Sequence, residues 1–350
     1  MRKYLVLALL FLIPFANADL DQGIKCYESN DFSCALREFN AVAKVGDEIG
    51  QVRLGDMYFD GKGVKQDYAE AVRWYRLAAK QGDAVAQRYL GFMYFDGKGV
   101  KQDYAEAVRW YRLAANQGNA GAQSRLGDMY STGLGVKQDY VEAARWYRLA
   151  ADQGDAGAQS LLGLMYSLGL GVKQDYAEAV KWCLLGAGQE NVSAQDELGK
   201  MYRHGQGVKQ DYVEAVRWYR LAAGQGSSYA QAKLGEMYSS GLGVNKDDAE
   251  ALRWFRLAAN QGDADSQSLL GLMYKNGLDV KQDYAEAVKW YRLAADQGRV
   301  LAQLMLGDMH YQGQGVRQNK KTAKEWFGKA CDNGNQKGCD VYKALNEGGY

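Results

Sequence analysis

The chain has 350 residues with 43 Lys and Arg against 42 Asp and Glu. That balance excludes the clustered basic surface on which nucleic-acid affinity rests. A hydrophobic content of 47% with 24% charged residues describes a soluble globular chain, neither disordered nor membrane-embedded. Forty-two Gly accompany a single Pro, Pro14, so everything after it can be helical. His204 and His310 are the only histidines, too few for a multi-histidine metal site, and no metal or other cofactor is expected.

In chain order, Arg2 and Lys3 precede the apolar run Tyr4 to Phe15, and Ala16-Asn17-Ala18 offers small residues for cleavage. This predicts a signal peptide over 1–18 and a mature chain from Asp19, with 41 basic against 42 acidic residues. The apolar run, about 12 residues, is too short to span a bilayer, so no stable membrane insertion is expected. An uncleaved anchor is the alternative. No cysteine opens the mature chain to take a lipid.

Trp74, Trp110, Trp146, Trp182, Trp218, Trp254, Trp290 and Trp326 are each 36 residues apart, which means stacked copies of one unit. Within a copy, Ala86, Leu90, Met93 and Tyr94 share one face of a first helix. Gly97-Lys98-Gly99-Val100 makes a loop, and Tyr104, Ala107/Val108, Tyr111 and Ala114/Ala115 form the apolar face of a second helix. The reading is a capping helix pair over 19–46, eight repeats over 47–334 and a capping helix over 335–350.

Asp103 with Glu106 reads as a capping box in which both side chains take orphan N–H groups. It recurs at Asp67, Asp139, Asp175, Asp211, Asp247 and Asp283, each with Glu three residues on. Gly82, Gly118, Gly154, Gly226, Gly262 and Gly298 fall where a left-handed residue closes the second helix, and Glu190 breaks that column. Gly91 and Gly127 lie inside first helices at about 1 kcal/mol relative to Ala. Close approach of a neighbouring helix is the expected compensation.

The pattern A-x-A-Q-x-x-L-G-x-M-Y, then G-x-G-V, then D-Y-x-E-A-x-x-W-Y-x-x-A-A-x-Q-G resembles the SEL-one-like repeat (SLR), a relative of the tetratricopeptide repeat. The resemblance covers about 47 to 334. It implies an all-α right-handed superhelical solenoid of antiparallel helix pairs that binds protein partners and has no general enzymatic role. Asp279 in place of the second loop Gly, Asn245-Lys246-Asp247-Asp248, and His310 for a first-helix Tyr are the departures. Cys26 and Cys34 are eight residues apart, as are Cys331 and Cys339, and each pair can close as a disulfide in an oxidising compartment. The stretch Lys329 to Cys339 resembles the cysteine-rich secreted bacterial branch of the SLR proteins, where such pairs staple neighbouring helices; reduced buried thiols are the alternative. Cys183, in a tyrosine column, reads as a packed apolar residue.

No Ser-x-x-Lys with Lys-Thr-Gly, C-x-x-C, H-E-x-x-H or G-x-S-x-G occurs, and the Gly-x-Gly loops lack a Gly-Lys-Ser/Thr ending. His204 reads as a loop residue and His310 as core or surface, and the carboxylate pairs are absorbed by capping. Arg73, Arg109, Arg145, Arg217 and Arg253, one turn from Glu residues, read as a solvated mixed-charge outer face.

Function must then lie where copies differ. The variable first-helix columns give Arg88, Phe92 and Phe95; Ser160, Leu164 and Ser167; Asp196, Lys200 and Arg203; and Ser268, Leu272 and Lys275, which by resemblance line the concave face. Phe92 and Phe95 stand near Phe59 and Asp128 and are expected to form an apolar anchor beside a charged rim, outside the inter-repeat packing face. The candidate partner site is therefore Phe59, Arg88, Phe92, Phe95, Asp128, Leu164, Lys200, Arg203, Leu272 and Lys275. The expected protein is an exported bacterial scaffold, periplasmic or secreted, monomeric and non-enzymatic, binding an envelope or host protein. The alternative is a cell-wall-active hydrolase of the β-lactamase type.

Overall fold

The computed structural model describes residues 19–278 and 280–350, so the expected signal segment and Asp279 lie outside the described residues. Among those described are nineteen α-helices and no strand. They form two compact units, one of 19–165 with Gly169–Lys173, the other of Tyr166–Leu168 with Gln174–Tyr350. In the first unit, α1 (Leu20–Glu28) and α2 (Phe32–Lys44) lead to the pairs α3 (Glu48–Asp60) with α4 (Tyr68–Gln81), α5 (Ala84–Asp96) with α6 (Tyr104–Asn116), and α7 (Ala120–Thr132) with α8 (Tyr140–Asp152); α9 (Ala156–Leu168) begins there. The second unit holds α10 (Tyr176–Gly188), α11 (Val192–His204) with α12 (Tyr212–Gly224), α13 (Ser228–Ser240) with α14 (Asp248–Asn260), α15 (Ala264–Asn276) with α16 (Tyr284–Asp296), α17 (Val300–Gln312) with α18 (Lys320–Asp332), and α19 (Gln336–Glu347).

The second helices from α4 to α16 start where an Asp carboxylate accepts backbone N–H groups, and α18 where the Asn319 amide does: Asp67 Oδ1 takes Ala69 N at 2.9 Å and Glu70 N at 3.0 Å. The reciprocal half of the expected capping box does not form. The Asp67 N–H donates across the loop to Tyr58 O at 2.9 Å, as Asp103 does to Tyr94 O. Glu70 is thereby released to pair with Arg73 at 2.9 Å, and Glu106, Glu142, Glu214 and Glu250 pair likewise with Arg109, Arg145, Arg217 and Arg253. The expected mixed-charge outer face follows. At the second-helix ends, Gly118 and its equivalents have positive φ, and Glu190 adopts the same left-handed geometry at φ 63° without being glycine.

Inside each pair an aromatic ring lies on the first-helix glycine, save that in α10 its column is taken by Cys183. A Cβ at Gly91 would stand 2.6 Å from Tyr111, and one at Gly127 2.6 Å from Tyr147. Seating a buried ring offsets the helix penalty of the glycine. Between repeats the tryptophan is the mortar: Trp146 closes the core of Ala107, Val108, Tyr111, Leu126 and Met129, and Trp326 that of Tyr291, Leu306 and Met309. A buried glutamine adds a polar seam. Gln87 Nε2 donates to Ala79 O at 3.3 Å while its Oε1 accepts from Gln117 Nε2 at 2.8 Å. The same amide link joins Gln51 to Gln81, Gln123 to Gln153, Gln195 to Gln225 and Gln267 to Gln297, so the buried amides are paired. Cys183 is fully buried, and burial pushes its thiol up to about 12, in keeping with a packed apolar role.

Candidate functional site

Two disulfides close among the described residues, Cys26–Cys34 tying α1 to α2 and Cys331–Cys339 tying α18 to α19, with Cα separations of 5.7 Å and 4.5 Å. Such bridges persist in oxidising compartments. They staple each end of the helix series, where a helix has a neighbour on one side only.

In the first unit the first helices frame a groove of 580 Å³. It brings together Phe59 of α3, Arg88 and Phe92 of α5, and Asp128 of α7, four of the residues singled out from the sequence. Phe59 and Phe92 meet edge to face at 5.9 Å, and behind them the Lys98 ammonium lies 4.8 Å from the Phe92 centroid and 3.3 Å from Asp96. Gly121 and Gly157 leave the floor open, while Tyr89 and Leu161 add apolar walls. Two anions of the groove already have donors. Asp128 accepts from Tyr147 Oη at 2.8 Å and pairs with Arg125 at 3.3 Å, and Asp155 Oδ1 accepts from Ala158 N at 2.7 Å.

Several expectations about individual residues need correction. Phe92 belongs to the packing face: it lies against the core of its own repeat and bridges to Phe59 of the repeat before. Phe95 turns to Tyr104, 5.3 Å between centroids, and packs on the next core. Losing both rings would therefore loosen α5. Leu164 is half-buried on α9 and does not line the groove. In the second unit, the candidate cations are engaged within the protein. Lys200 pairs with Glu197 at 3.1 Å, Arg203 with Glu236 of the next first helix at 2.8 Å, and Lys275 with Asp308 at 3.7 Å. Leu272 packs on the core around Tyr291.

His204 is the last residue of α11, not a loop residue. His310 is buried in α17 with neither ring nitrogen partnered, and burial, with Arg292, lowers its pKa. A second cavity, 650 Å³, lies between α17, α18 and α19 over Leu304, Met305 and Phe327, and none of the candidate residues lines it.

Sequence reasoning missed Tyr89. Its ring stacks on Tyr75 at 4.9 Å and 10°, Tyr75 Oη donates to Asp56 Oδ1 at 2.8 Å, and the Arg88 guanidinium lies 4.4 Å from the Tyr89 centroid. Tyr89 is one residue from Arg88, but its partner Tyr75 is on another helix, so periodicity alone could not pair them.

Burial raises the Asp56 carboxyl to about 6, against the opposing Tyr75 hydrogen bond and Arg53. Asp128 is raised for the same reason, and Asp196 reaches about 6. A carboxyl raised in the fold contributes stability that is complete below its unfolded value near 3.8 and lost as pH rises through about 6. Asp56→Asn keeps an acceptor for Tyr75 and removes the ionisation. With 19% of the side chain exposed, we expect the variant to exceed the wild type by about 1–2 kcal/mol at pH 7.5. The gap should close near pH 4.5 in urea denaturation followed by tryptophan fluorescence. A gap that is constant with pH would refute the assignment.

This arrangement defines a tetratricopeptide-like solenoid of paired helices carrying a variable first-helix face. The chain belongs to the Sel1 repeat family, which matches it over eight consecutive copies, 49–83, 84–119, 120–155, 156–191, 192–227, 228–263, 264–298 and 300–335. It is similar to an SLR-fold protective antigen of uropathogenic Escherichia coli, 37% identical with a TM-score of 0.78, covering 89% of this chain and 67% of that one. It is also similar to a Sel1 repeat protein of Oxalobacter formigenes, 36% identical with a TM-score of 0.71, covering 88% and 89%. No curated protein matches it. Sel1 repeat proteins are generally protein-interaction scaffolds, and the fold is typically non-enzymatic; neither family nor neighbours support the hydrolase alternative.

Proposed function

We propose that the chain is an exported, monomeric, non-enzymatic scaffold, periplasmic or secreted, that holds an envelope or host protein on its first-helix face. Phe59, Arg88, Phe92 and Asp128 are its contact residues in the first unit. The observation that carries this reading is the column Tyr89, Arg125 and Leu161, all three of which line the groove. It changes from copy to copy at 36-residue spacing, while the tryptophans, helical glycines and buried glutamines beside it repeat. Packing demands the repeated columns, and recognition accounts for the changing one. Two disulfides and the leader-like residues before Asp19 support export. The Escherichia coli relative is a protective antigen, which supports a host-facing partner beside an envelope one.

The test is site-specific photo-crosslinking in cells expressing the full chain. A photoreactive phenylalanine at Ser124 in the groove should yield a discrete crosslinked protein in the periplasmic or medium fraction. The same residue at Arg109 on the outer face should not. Crosslinking from Arg109 alone would move the site to the convex side, and a cytoplasmic chain with reduced cysteines would end the export reading.

A further inference from the structure

We infer that the first-unit groove takes a peptide segment whose Asp or Glu side chain is clamped by Arg88 while a neighbouring bulky apolar side chain lies against Phe59 and Tyr89. The inference rests on the reading that this face binds a protein partner, and it adds the chemistry of the bound segment.

Arg88 is the groove's uncommitted ion. Arg125 is held by Asp128, Asp128 also by Tyr147, and Asp155 by the N–H of Ala158. Arg88 makes no hydrogen bond or ion pair to another described residue, and its guanidinium lies 4.4 Å over the Tyr89 ring. Tyr89 is itself stacked on Tyr75, whose hydroxyl is fixed by Asp56. A guanidinium resting on a ring that is itself stacked is partly ordered before any ligand arrives, which favours bidentate capture of a carboxylate and lowers the ordering entropy of binding.

Gly121 gives the side chain its room: a Cβ there would stand 3.2 Å from Arg88 Cδ. Gly157, with helical φ, meets only its own cap at 3.3 Å. At the second position of α9, neither backbone conformation nor a neighbouring helix requires it. In the second unit the same column carries Tyr229, so a large residue is tolerated there. Apolar walls flank Arg88 on both sides, Phe59 towards α3 and Leu161 on α9. A chain occupying both must run past the guanidinium, so the carboxylate comes from an internal side chain and not from a chain end.

The test is selection of a random twelve-residue displayed peptide library on the full-length protein, with synthetic peptides made from the enriched sequences, acetylated and amidated. We expect enrichment of Asp or Glu within three residues of an aromatic or Leu. Changing that acid to its amide, or Arg88→Gln, should weaken binding about tenfold or more, and Arg88→Glu should turn the selection towards basic peptides. Gly157→Tyr, which fills the groove without touching Arg88, should abolish binding. Circular dichroism of each variant controls for folding. If peptides are enriched and blocked by Gly157→Tyr but ignore both the acid-to-amide change and Arg88→Gln, the acidic specificity is wrong and the groove reading survives. If binding returns only with a free C-terminal carboxylate, the internal source is wrong. If no enriched peptide is sensitive to Gly157→Tyr, both the specificity and the groove reading fall.

Discussion

Trp146→Ala is expected to destabilise the protein by about 3–5 kcal/mol, the range for truncating a buried aromatic. The indole is 7% exposed and is the one side chain of α8 within the core built by α6 and α7. Its removal opens a cavity at a seam between repeats, not within one. Because helix pairs in a solenoid are coupled mainly to their neighbours, the loss should be read locally. Hydrogen exchange should show lost protection in α6, α7 and α8, with α1 and α2, stapled by Cys26–Cys34, protected as before. A uniform loss over all the helices would contradict nearest-neighbour coupling and would mean that the chain unfolds as one cooperative body.

That the fold could be read so far from the sequence follows from the same coupling. Every copy must dock on the next, so the residues that dock recur, and Trp74 through Trp326, the helix-capping Asp residues and the paired glycines mark the helices with little ambiguity. The groove was half legible. Spacing of i, i+4 and i+7 put Arg88, Phe92 and Phe95 on one side of α5, but which way each side chain is drawn depends on residues elsewhere in the chain. Tyr104 pulls Phe95 away, Phe59 and Lys98 hold Phe92 down, and Tyr75 fixes the platform under Arg88. In the second unit, Arg203 looked available until Glu236, thirty-three residues on, was seen to hold it. The capping box failed for a similar reason: the N–H that Glu70 was to accept from is taken by Tyr58 across the loop. The glutamine seam was visible as a recurrence at 36 residues, yet its amide link joins positions 30 residues apart within one copy while the same Gln87 reaches back to Ala79 O of the copy before, and a 36-residue recurrence shows neither contact.

Gly99→Ala should cost about 2–5 kcal/mol, approaching the loss of a core tryptophan, although the residue is an exposed loop position. Two effects add. Gly99 has φ +68°, where a Cβ costs about 1–2 kcal/mol, and the new methyl would overlap the backbone carbonyl of Tyr68, at the first turn of α4 in the preceding repeat. Backbone cannot step aside as a flexible side chain can, so the loop or the helix must shift, with an overpacking cost of about 1–3 kcal/mol. Gly118→Ala separates the two contributions. Its φ is +87°, but nothing lies within 4 Å of where the Cβ would go, so the cost there should be about 1–2 kcal/mol. Thermal and urea denaturation of both variants decides between the effects. Equal losses would mean that the second loop glycine serves only backbone conformation. A clearly larger loss at Gly99 would show that this glycine is a contact between repeats, holding the loop of one copy against the start of the second helix in the copy before.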